Sequence, residues 1–146
     1  MIRTILAPVD GSDNSKRALE LACDLAVRYD ARLYVLHVIL TPTADIKLVL
    51  GGASLREDAP KKECEKTGQK VLEAARQIAQ DRGVDRVETV IVGGPAAQRI
   101  LDSARDNEVD MIVMGRRGVS DIVGIMVGRV KHKVNDLAEC ICVTVP

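Results

Sequence analysis

The chain has 146 residues, 47% of them apolar and 29% charged, which suits one globular domain with a sizeable core. No apolar run approaches the roughly 18 residues of a membrane span, and the first residues carry no signal-peptide pattern, so a cytoplasmic protein without a membrane span is expected. Twenty-one basic and 21 acidic residues cancel, and there is no Trp or Phe and only two Tyr, so long-range attraction to nucleic acid and stacking platforms for it are both lacking.

Residues 4–9 are a short apolar run, read as a buried first strand with Pro8 near its end. Asp10-Gly-Ser12 turns the chain, and Ser12 caps a helix whose apolar face is Ala18, Leu21, Ala22, Leu25, Ala26 and Tyr29. Residues 32–40 form the second strand. Residues 41–59 hold Pro42, Gly51 and Gly52 with little periodicity, and read as a long loop with one helical turn at 45–50. Pro60 opens the next helix, with Val71, Leu72, Ala75, Ile78 and Ala79 as its stripe and an end near Gly83.

The third strand covers 86–92. Gly93-Gly-Pro95 then starts a helix with Ala97, Ile100, Leu101 and Ala104 facing inward. Residues 111–114 are the fourth strand. Residues 127–137 are the last helix, with Val130, Val134 and Leu137 on one side, and 140–145 are the fifth strand. This alternation predicts a single α/β domain over 1–146. It is a Rossmann-like, doubly wound parallel sheet of five strands in the order 3-2-1-4-5, with helices on both faces. Ligands of such sheets bind beyond the carboxyl ends of the strands where the order reverses, here between the first and fourth.

Between the fourth strand and the last helix, Gly115 and Gly118 are three residues apart, and Gly128 follows ten residues later. Glycines after a buried strand let backbone N–H groups approach a ligand, and a helix N-terminus adds a positive dipole end for phosphate. No G-x-x-x-x-G-K-[ST] loop and no G-x-S-x-G elbow is present, which argues against a P-loop NTPase and a serine hydrolase. His37 in an apolar strand and His132 in a basic helix lack partners of metal-site pattern. Cys23, Cys64, Cys140 and Cys142 match no zinc or disulfide framework. Cys140 and Cys142 fall on one face of a strand, which leaves a C-x-C metal site open beside the simpler reading of small packing residues in a reducing compartment.

Taken together, Ile5-Leu-Ala-Pro-Val-Asp10-Gly-Ser12, the second strand with His37, the turn from Gly93 to Ala97, Gly115-x-x-Gly118 with Gly128 nine intervening residues on, and Cys140-Ile-Cys-Val-Thr-Val145 resemble the universal stress protein family. The resemblance spans nearly the whole chain apart from the loop at 41–59. It implies a role in stress adaptation and a homodimer paired through Cys140 to Val145. It also implies ATP binding, since members with the full glycine signature bind ATP and a second branch does not. The signature ends in Gly followed by Ser or Thr, whereas this chain has Gly128-Arg129; a guanidinium grips phosphate by charge or fills its place.

Ala7, Pro8, Val9 and Val38 are then expected to wall the adenine. Asp10 is expected to bind ribose hydroxyls or a Mg²⁺ carried by the nucleotide, against its alternative as a turn carboxylate. Met114, Gly115, Arg117, Gly118, Gly128, Arg129 and Val130 are expected to line the ribose and phosphates. The same donors suit ATP, ADP and AMP. No placed general base appears, so no catalytic residue is assigned and any hydrolysis is slow. The expectation is a regulatory binding module with an unidentified protein partner. The alternative is a nucleotide-free homodimer in which Arg129 occupies the phosphate site.

Overall fold

A computed structural model describes residues 1–39, 59–117 and 129–146, with side chains described from 62 onward in the second segment and from 130 onward in the third. Its elements in chain order are β1 (Thr4–Pro8), α1 (Asp13–Tyr29), β2 (Arg32–Ile39), α2 (Ala59–Asp81), β3 (Val87–Gly93), α3 (Ala96–Asp106), β4 (Met111–Gly115), α4 (Arg129–Leu137) and β5 (Ile141–Val145). The strands form one sheet in the order β3-β2-β1-β4-β5, and every neighbouring pair is parallel. This is the expected Rossmann-like architecture.

Side-chain alternation along buried strands gives the sheet two apolar faces. Ile5, Ala7, Leu33, Val35 and Val113 meet α1 and α2 on one face. Leu6, Leu36, Ile112 and Met114 meet α3 and α4 on the other. Right-handed crossovers require this division, because the chain moves one way across the sheet from β1 to β3 and the opposite way from β4 to β5. Small residues let α1 approach closely: Ala18, Ala22 and Ala26 are all buried.

Several sequence expectations need adjusting. On α1, Leu19 and Cys23 are fully buried, Leu21 and Leu25 are only partly covered, and Tyr29 is exposed. The buried stripe is therefore rotated toward Leu19, and Tyr29 lies in the last turn, beside the left-handed C-cap Asp30. Leu137 is exposed rather than inward-facing, because the last turn of α4 stands over a groove. Helix α2 already begins at Ala59. The rest of the 41–59 loop, with its expected turn at 45–50, lies outside the described residues, as do residues 127 and 128 of the expected last helix.

Candidate functional site

Because all five strands are parallel, their carboxyl ends share one edge, and β1 sits between β2 and β4 at the point where the order reverses. Strand β1 ends in a tightly held turn. The Asp10 carboxylate accepts from the Ser12 N–H at 2.9 Å, and the Ser12 hydroxyl accepts from the Ser15 N–H at 3.2 Å as the N-cap of α1. Buried Ser15 donates to the Ser12 carbonyl at 3.0 Å and accepts from the Asp10 N–H at 3.3 Å. Gly11 has φ +84°, a left-handed conformation that glycine adopts without a Cβ penalty. Asp10 thus serves the turn through one carboxylate oxygen while lying partly buried at the end of β1.

The four residues expected against an adenine divide between the faces. Ala7 and Val9 point into the core beneath α1 and α2. Val38 packs on the α3/α4 side, the side to which alternation also sends Pro8. The Val9 N–H donates to the Leu36 carbonyl at 2.8 Å, and His37 Nδ1 donates to the Val9 carbonyl at 2.8 Å. His37 therefore positions the turn after β1, a role hidden in the sequence because its acceptor is a backbone carbonyl 28 residues away. Gly68 of α2 is packed against its ring, where a Cβ would fall 2.7 Å from Cδ2.

On the other side of β1, Met114 is buried and Gly115 closes β4. A Cβ on Gly115 would sit 2.9 Å from the carbonyl carbon of Asn14, so the bare glycine admits the first turn of α1 beside β4. The Arg116 N–H donates to the Val145 carbonyl at 2.7 Å, and the side chains of Arg116 and Arg117 are exposed. Gly118 and Gly128 lie outside the described residues. Arg129 opens α4, though its side chain is not among those described, and Val130 packs on the α3/α4 core. The last turn of α4 stands beside Val109 and Cys140, at the amino ends of β4 and β5. The first turn of α4 therefore lies toward the carboxyl edge, where its N–H groups favour an anion.

The structure thus brings Asp10, Val38, Met114, Gly115 and the start of α4 to one edge. Among the described residues no group of three or more His, Cys, Asp and Glu is placed to hold a metal ion. A Mg²⁺ at Asp10 would come with phosphate ligands and keep several waters.

Comparison with known proteins adds three findings. The model of the universal stress protein family matches residues 1–146. Universal stress protein YxiE of Bacillus subtilis (strain 168) is 36% identical over 143 residues, covering 96% of each chain. Among solved structures, hypothetical protein MJ0577 superposes with a TM-score of 0.80 at 26% identity, covering 99% of this chain and 96% of that one. A universal stress protein in complex with cAMP superposes with a TM-score of 0.76 at 25% identity, covering 99% and 97%.

Proposed function

The chain belongs to the universal stress protein family, and from that premise we propose that it binds an adenine nucleotide and acts as a regulatory module in stress adaptation. The observation that carries this reading is the shared carboxyl edge of β1, β2 and β4, onto which α4 directs its first turn. The related structure holding cAMP supports adenine as the base.

In this reading Pro8 and Val38 flank the base, and Asp10 meets the ribose or a Mg²⁺ carried by phosphate. Ala7 and Val9 support the wall from the core. Met114, Gly115, Arg117, Gly118, Gly128, Arg129 and Val130 line the sugar and phosphates. ATP is the proposed ligand. ADP and AMP use the same backbone donors. Bound nucleotide alters the surface offered to a partner protein, and no residue is assigned to catalysis.

A homodimer through β5 completes the proposal. Strand β5 is one of the two outer strands, and Ile141 is 53% exposed on it. An apolar edge of this kind is a template for pairing with a second copy. Val143→Pro is expected to halve the mass in solution.

The nucleotide content of the purified protein tests the central claim. Acid extraction followed by anion-exchange chromatography should yield near-stoichiometric ATP or ADP, and Gly128→Val should come out empty. Arg129, standing where the family signature has Ser or Thr, favours the second reading of a nucleotide-free dimer. An empty wild type with no thermal shift in millimolar Mg·ATP, and gain of binding in Arg129→Ser, would establish that reading instead.

A further inference from the structure

Strand β2 outruns β1 at the carboxyl edge. The β1–β2 register ends at Pro8 opposite Leu36, while β2 stays paired with β3 as far as Ile39 opposite Gly93. The Val9 N–H still reaches the Leu36 carbonyl at 2.8 Å, and the next peptide unit is held by side chains. His37 Nδ1 lies 2.8 Å from the Val9 carbonyl, and a carbonyl only accepts, so Nδ1 carries the hydrogen. The N–H of the same unit, that of Asp10, donates to the Ser15 hydroxyl at 3.3 Å. The Val9–Asp10 peptide is thus held at both ends, and its plane sets where the Asp10 side chain begins.

Helix α2 fixes the ring in turn. Gly68 is buried in the helix interior, where glycine is the poorest residue after proline, and a Cβ there would fall 2.7 Å from His37 Cδ2 and 3.3 Å from Nε2. The bare glycine leaves room for the imidazole against the helix. Three residues on, along the same face, Val71 packs on the turn itself: a Cβ on Gly11 would fall 3.3 Å from its Cγ2. Two neighbouring positions of α2 therefore bear on the residues that flank Asp10, one through the His37 ring and one directly.

We propose that His37 is the positioning residue of the nucleotide site: it sets the Asp10 turn through the Val9 carbonyl, and α2 sets His37 through Gly68. The inference rests on the reading that Asp10 meets a bound nucleotide. A turn already ordered in the empty protein spares the ligand the cost of ordering it, so affinity depends on how α2 seats the ring.

Calorimetric titration of the full chain with Mg·ATP tests this. His37→Leu removes the donor and is expected to weaken binding about tenfold, the upper end of what one hydrogen bond is worth. His37→Asn puts an amide N–H near the place of Nδ1 and should restore affinity to within about threefold of wild type. In Asp10→Asn, which keeps an acceptor for the Ser12 N–H, the further loss from His37→Leu should shrink to about twofold or less, because the two residues act as one unit. Gly68→Ala pushes the ring off the Val9 carbonyl and should weaken binding by about threefold or more, but not in a His37→Asn background, which has no ring for the methyl group to meet. Urea denaturation identifies a variant that fails to fold; if His37→Leu is one, Gly68→Ala in the two backgrounds decides. The role of His37 is overturned, and the nucleotide reading left standing, by a His37→Leu that binds as wild type, a loss that Asn does not restore or a full loss in the Asp10→Asn background. A Gly68→Ala that binds as wild type, or still acts without the ring, overturns it equally. A wild type that binds no Mg·ATP overturns both.

Discussion

At its amino edge the sheet has one side chain clamping β4 to β1, while at its carboxyl edge side chains hold the turn after β1 and a bare glycine closes β4. The Asp110 carboxylate, just before β4, accepts from the N–H groups of Arg3 and Thr4 at 2.7 and 3.0 Å, and the Asp110 N–H returns a bond to the Thr4 carbonyl. One residue thus locks β4 to β1. At the other end of the same pair of strands, Gly115 has no side chain and one Asp10 oxygen serves its own turn. The clamp between the two strands sits at one end, and at the other the side-chain bonds stay within the turn after β1.

The comparison is broken most severely at Gly115. Gly115→Val places atoms within the first turn of α1 and is expected to lower stability by about 1–3 kcal/mol in urea denaturation, with loss of nucleotide. Unchanged stability would mean that α1 does not need the close approach.

Asp110→Asn should cost about 1 kcal/mol at neutral pH and leave the carboxyl edge, and nucleotide content, untouched. Hydrogen bonds from the Arg3 and Thr4 backbone hold the Asp110 carboxyl below its usual range. Its contribution is therefore present above the unfolded value of about 3.9 and is lost as pH falls through the lower folded value. The stability difference between wild type and Asp110→Asn should shrink on acidification. A difference that grows would refute the clamp.

Ser12→Ala removes the α1 cap and should cost about 1 kcal/mol or less, read as a small fall in melting temperature. The smallest effect is expected at the amino edge, where Arg32 and Glu88 pair at 3.6 Å with both side chains exposed. Glu88→Gln should change stability by about 0.5 kcal/mol at most. A larger loss would show that surface charge, rather than the Asp110 clamp, binds that edge.

Much of this was legible in the sequence, and the parts that were not share a cause. Strand order followed from the alternation of elements and from the two glycine turns, after β1 and β4. The apolar face of α3 was read correctly, since Ala97, Ile100, Leu101 and Ala104 are all buried, with Ser103 joining them. Local chemistry sufficed there. The Ser12 cap was equally visible, because its bonds close within a few residues. The role of Gly115 was only half visible: its place at the end of a strand suggested a phosphate turn, while the contact with Asn14 depends on a helix 101 residues away in the chain. His37 and Asp110 were missed as positioning residues because each bonds a distant backbone atom, and no periodicity records such a partner. Tyr29 and Leu137 were misplaced because helical spacing specifies a stripe but not how far the neighbouring layer extends over it.

What the sequence by itself determined was the alternation of strand and helix, the parallel sheet and the edge where a ligand would enter, because those follow from apolar period, turn chemistry and the handedness of crossovers. Only the tertiary structure decided which face each wall residue takes, which glycine is bare for a helix, and which distant backbone groups His37 and Asp110 meet. Those facts depend on atoms brought together across the chain, where packing distance, and not spacing along the sequence, sets the chemistry.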